Sequence, residues 1–164
     1  MFEVNDKVMY GQMGACIISA IEEKEVNSEK KLYYVINPVN AIKTTIFCPV
    51  DNDKVRIRKV ISKEKVMELV AIMPDIEAEW IENDSMRKAA NDEIIKSGEH
   101  EGLIKLIKLL YFKREECKAN NKKFHIADQR AMETAEKLIY SEFAMTLGIK
   151  EEEVLSFIVG KLKK

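Results

Sequence analysis

Cysteine is scarce and unpaired in this chain. Cys16, Cys48 and Cys117 are far apart, odd in number and form no CxxC pair, so neither a disulfide framework nor a zinc site is indicated. They read as reduced, small apolar residues. Long hydrophobic runs are absent as well. No apolar stretch approaches the roughly 18 residues needed to span a bilayer, and the opening MFEVNDKVMYGQ lacks a basic segment followed by a hydrophobic core. A cytoplasmic protein with no membrane partner is expected. Net charge is also lacking: the formal total is -1, which gives no general attraction for nucleic acid.

The usual signatures of catalysis are missing too. There is no GxxxxGK[ST] phosphate loop, no GxGxxG after a strand, no HExxH and no GxSxG. His100 and His125 are isolated, and neither has a partner at metal-ligand spacing. His125, in KKFHIADQR, precedes a helix start, where a histidine serves to hydrogen-bond local backbone. The acidic triplet Glu151, Glu152 and Glu153 reads as a solvated first helical turn. No enzyme, cofactor or metal is expected.

What is present divides the chain in two. The 164 residues, 46% hydrophobic and 34% charged, suffice for one ordinary domain or two small ones. Up to about Arg58 the pattern is that of short strands: KVMYG, ACIISAIEEKEV, KLYYVINP, TTIFCPV and KVRIRKV. Gly11 and Gly14 bracket the first turn, VNSEKK suits a hairpin tip, and Pro38 and VDND interrupt pairing. Five short strands in under sixty residues predict a small, strongly bent barrel of the SH3 or Tudor kind.

From Ser62 onward the periodicity is helical. Ser62 caps a helix bearing Val66, Leu69, Val70 and Met73, which stops before Pro74. A second helix is expected from near Asp84 to Gly98, and a third carries Leu103, Ile104, Leu106, Ile107, Leu110 and Tyr111. A fourth starts near Asp128 and closes at Gly148; the last, KEEEVLSFIVGKLKK, has glutamates at its start and lysines at its end, matching the helix dipole. The fold expected is α+β in two domains, a β-barrel over residues 1–60 and an all-α bundle over 61–164, with a short boundary near 59–61.

Two features invite a function. KLIKLLYFKREECKANNKKFH concentrates lysine and arginine between Lys105 and Lys123 against only Glu115 and Glu116, and reads equally as a solvated helix face or a phosphate contact. Trp80, the single tryptophan, lies between the first two helices among Glu77, Glu79, Glu82 and Asp84. It reads either as a cap on the bundle core or as a partly exposed wedge against bases in a minor groove.

The order of these features resembles the CarD/CdnL family of bacterial transcription regulators over nearly the entire length. The resemblance is carried by DKVMYGQMGACII, by YYVINPV and TTIFCPVDN, by EWIENDSMRKAANDEIIKSG and by the helical tail. The N-terminal part is also similar to the RNA-polymerase-interaction module of the transcription-repair coupling factor. The resemblance implies a non-enzymatic regulator whose β domain docks on the RNA polymerase β subunit by sheet extension. Its helical domain would contact promoter DNA weakly and without sequence specificity. Trp80 corresponds to the family's minor-groove wedge, which stabilises the open promoter complex; Arg87 and Lys88 are the nearest match to its phosphate contacts. For docking, the resemblance points to Lys24 and to the strand Thr44, Thr45, Ile46 and Phe47. A monomer is expected, with a dimer through an unpaired strand edge as the alternative. The alternative is an adaptor that joins two proteins without touching DNA, with Trp80 as a buried anchor.

Overall fold

The computed structural model describes residues 1–162. Five strands, β1 (Lys7–Tyr10), β2 (Gly14–Val26), β3 (Glu29–Pro38), β4 (Ile46–Pro49) and β5 (Ile57–Lys59), form one antiparallel sheet in the order β4-β3-β2-β1-β5. Five helices follow: α1 (Lys63–Ile72), α2 (Asp84–Ser97), α3 (His100–Ala119), α4 (Ile126–Leu147) and α5 (Glu151–Leu162). The α+β class and the β-then-α order are those expected. The expected dipole match of α5 holds for Lys161 in its last turn; Lys163 and Lys164 lie outside the described residues.

The long β2–β3 hairpin turns at Asn27 and Ser28, both at positive φ. That two-residue geometry matches the right-handed twist of the strands it joins. A register shift between Ile18 and Ala20 bends β2. The bend brings Val8, Cys16, Ile18, Tyr34, Ile36 and Cys48 into one core, with Ile46 of β4 and Ile57 of β5 packed against it. The two edge strands are not paired with each other among the described residues, so the barrel is completed by side-chain packing.

Two strand ends differ from the sequence expectation. Thr44 and Thr45 precede β4, and the Thr44 amide donates to Ala41 in a turn. β5 begins only at Ile57, because the Asn52 side chain accepts from the amides of Lys54 and Val55 and donates to the Val55 carbonyl. This local ring gives the backbone an alternative to the ladder.

Strand alternation also joins the two domains. On β1, Val8 faces the barrel core while Met9 belongs to the helical core; on β2, Cys16 and Ala15 divide in the same way. The helical core is built from all five helices, with Leu110, Ala135, Phe143 and Val154 fully enclosed. Gly14, at φ +87, lets β2 approach α4 so closely that an added Cβ would stand 2.8 Å from Ser141 Oγ. That hydroxyl accepts from the Ala15 amide at 3.0 Å.

The junction is fastened again at Glu142. Its carboxylate accepts two hydrogen bonds from Arg58 at 2.6 and 2.9 Å, one from the Ile61 amide at 2.9 Å, and lies 2.7 Å from His100 Nε2. Glu142 is only 1% exposed. Burial pushes its pKa up, but the hydrogen bonds from Arg58 and His100 outweigh it and hold the carboxyl at about 2. The segment between β5 and α1 is therefore pinned, with Thr146 also donating to the Ile61 carbonyl.

Candidate nucleic-acid interface and docking edge

Trp80 sits in an extended segment between a 3-10 turn at Met73–Asp75 and the start of α2. That segment is fixed from below. Lys108 of α3 donates to the carbonyls of Met73, Pro74 and Ile76 at 3.0, 3.2 and 2.8 Å, so its ammonium serves as the cap of this turn. Trp80 itself is half-buried and packs against the helical core. Two cations flank the ring: the Arg87 guanidinium carbon is 4.4 Å from its centroid and the Lys113 ammonium 4.9 Å. Both are within cation–π range. Part of the indole therefore caps the core and part remains in solvent.

Arg87 stands in a different environment from a residue that reaches outward. It is 5% exposed, and its Nε and Nη2 donate to the two oxygens of Asp128 at 2.9 and 2.8 Å. Nη2 also donates to Asp84 at 2.8 Å, and Nη1 to the carbonyls of Ile81 and Glu82. The bond to Asp128, and then that to Asp84, raises the guanidinium pKa above its ordinary value. In return Arg87 lowers that of Asp84. Such a fork ties the N-terminal turns of α2 and α4 to the segment carrying Trp80. Lys88, by contrast, is exposed and, among the described residues, pairs only with Asp92 one turn on, at 2.8 Å. An exposed pair of this kind exchanges readily for another anion.

His125 does what its place predicts: its Nδ1 accepts from the Ala127 amide at the start of α4. Its other nitrogen is 3.8 Å from Asp84 on an exposed surface. No group of three or more metal-ligating side chains occurs among the described residues.

At the other end of the molecule, β4 forms one edge of the sheet and pairs only with β3. The opposite edge, β5, is crowded by the helices, since Arg56 donates to the Ser97 carbonyl and Arg58 to Glu142. Among the described residues β4 thus has no strand on its outer side. Phe47 is 46% exposed there, and the Lys24 ammonium lies 3.3 Å from the centroid of its ring. Lys24 and Phe47 are brought together across β3; Thr44 and Thr45 lead into the strand without joining its ladder.

Sequence reasoning missed Asp128, Lys108, Arg58, His100 and Glu142 as fixing residues. One signal was available. Ala135, Leu138, Ile139 and Glu142 share a helical face, and an acid in phase with core residues needs a buried partner.

Comparison with known proteins agrees with this layout. Residues 2–61 match the family model described as the CarD-like/TRCF RID domain, and residues 68–159 match that of the CarD C-terminal domain. The chain is 30% identical over 159 residues to YdeB of Bacillus subtilis (strain 168), a protein named as a proposed transcription factor. The alignment covers 96% of this chain and 99% of that relative. No helix among the described residues is long and apolar enough to cross a membrane.

Proposed function

Because the chain belongs to the CarD family, whose members regulate transcription through RNA polymerase, we propose that it docks on the polymerase β subunit and stabilises the open promoter complex non-enzymatically. The β4 edge receives a strand of the polymerase, with Phe47 and Lys24 as the side chains beside the new ladder. Trp80 wedges into the minor groove at the upstream edge of the bubble. Lys88 contacts a phosphate by releasing Asp92, and Arg87 holds Trp80 in place.

The observation that carries this reading is the setting of Trp80: a half-exposed indole on a segment braced by Arg87 and Lys108. A wedge must not yield when bases press on it, and this one is held by hydrogen bonds at both ends. The energy needed is modest. About 1.4 kcal/mol shifts an equilibrium tenfold, and one base–aromatic contact supplies roughly 1–3 kcal/mol. Weak affinity for free DNA is sufficient, because docking on polymerase raises the effective concentration at the promoter.

Open-complex lifetime with the cognate polymerase tests the proposal. Wild type is expected to lengthen it several-fold, and Trp80→Ala to lose that effect while still binding polymerase. Equal lifetimes for the two proteins would rule out the wedge. The adaptor reading rests on α5, where Leu155, Val159 and Leu162 leave an apolar stripe exposed; it predicts that same equality.

A further inference from the structure

We infer that a cationic groove at the junction of the two domains carries a second stretch of DNA phosphodiester backbone. The inference rests on the proposed role of Trp80 and Lys88 and extends it away from the wedge. Two hollows of about 360 and 290 Å³ adjoin at Gln12 and Ile95, which line both, and together make up this groove. Lys88 and Arg130 line one end; Lys54, Arg56, Arg58 and Lys96 line the other.

The acids in this groove are already engaged. Asp92 pairs with Lys88, and Glu142 is buried with both oxygens held by Arg58. Lys54, Arg56, Lys96 and Arg130 are exposed, and none has a carboxylate within salt-bridge distance among the described residues. Arg56 is anchored by its bond to the Ser97 carbonyl, which keeps its charge at the junction. A chain with a formal charge of -1 thus has a row of uncompensated cations along one path.

The shape selects a strand. Lys88, Ile95 and Lys96 follow one another along α2, and eight residues of helix advance about 12 Å. That is the axial rise of roughly three to four nucleotides at about 3.4 Å each. Between the charged ends Gln12, Asn91 and Thr134 supply neutral hydrogen-bonding groups, beside apolar side chains such as Met9, Ile95 and Leu138. Those polar groups and the flanking cations can bond the oxygens of a sugar–phosphate backbone. Because the groove crosses from α2 to the loop before β5, its two ends stay aligned only while the Glu142 junction holds.

The experiment is the salt dependence of binding, by fluorescence anisotropy, of the full chain to a labelled fork-junction duplex at low ionic strength. Lys54→Gln/Lys96→Gln is expected to reduce the slope of log affinity against log salt by about 2, close to one per lost phosphate contact. Trp80→Ala, which removes no charge, keeps the wild-type slope. As a control, Lys30→Gln/Lys31→Gln at the hairpin removes the same charge far from the groove and leaves the slope unchanged. An unchanged slope in the groove variant, or an equal loss in the hairpin variant, overturns the inference. The outcome is separable from the wedge: loss of slope in the groove variant supports the groove even where Trp80→Ala leaves open-complex lifetime intact.

Discussion

A carboxylate taken out of water must be met by donors, and Glu142 is met by Arg58, His100 and a backbone amide at once. Removing its charge leaves Arg58 without its partner in a partly buried site, which costs on the order of 3 kcal/mol. Glu142→Gln should therefore lower stability by about that amount in urea titration; a change below about 0.5 kcal/mol would contradict the assigned role. The pH dependence has a definite sign. The folded carboxyl is held at about 2, below the ordinary 4.5. Its contribution is complete above the unfolded value and is lost as pH falls toward 2. The wild type should lose stability across that window more steeply than Glu142→Gln, as followed by thermal denaturation at stepped pH. Arg87 works by the same principle at the other end of the molecule, as a positioning residue. Arg87→Met should red-shift Trp80 emission and increase its quenching by acrylamide, because the ring loses a guanidinium 4.4 Å from its centroid and its segment loses two carbonyl bonds. Unchanged emission in a folded variant would separate Trp80 from Arg87.

Between elements, contact distance decides what can be substituted. The approach of β2 to α4 requires glycine at position 14 on two counts: φ is +87, and a Cβ would collide with Ser141 Oγ. Gly14→Ala is expected to cost about 1–3 kcal/mol in chemical denaturation. Full stability in that variant would mean the two domains can separate without penalty. Phe47 on the β4 edge makes the opposite case, since its side chain is 46% exposed and contributes little to the fold. Phe47→Asp should leave thermal stability within about 0.5 kcal/mol and weaken polymerase binding at least tenfold in surface-plasmon measurements. Undiminished binding would assign docking to another edge. The two strand ends that departed from expectation also belong to this scale. Thr44 and Thr45 have β-branched side chains suited to a strand, but the turn from Ala41 occupies the Thr44 amide first. Val55 alternates correctly with Ile57, yet Asn52 claims its amide and carbonyl.

For the molecule as a whole, the proposed function needs three places to keep a fixed relation: the β4 edge, the groove and Trp80. The interdomain segment does not behave as a free linker. Ser141, Glu142 and Thr146, all on α4, bind the start of β2, Arg58 of β5 and Ile61 just beyond that strand. A polymerase holding the β domain consequently holds the helical domain at a set angle, and a wedge is effective only from a set angle. Under that reading Glu142→Gln retains polymerase binding and shortens the open complex relative to wild type, at a temperature where the variant is still folded. Identical lifetimes would show that the domain angle is not what matters.

The sequence by itself determined the division into strands and then helices, because periodicity changes from two to 3.6 near residue 60 and local propensity agrees with it on both sides. Ser62 as an N-cap, Gly98 and Gly148 as left-handed C-caps and His125 as a local acceptor were legible for the same reason: each acts within a few residues of itself. The family resemblance directed attention to Trp80, Lys88 and Lys24, but it could not distinguish an arginine that reaches out from one that braces. Tertiary structure alone decided that. Arg87 meets Asp128 across 41 residues of sequence, Arg58 meets Glu142 across 84, and Ala15 meets Ser141 across 126. Such pairs carry no periodic or local signal, since either partner alone reads as an ordinary polar residue until packing removes its water.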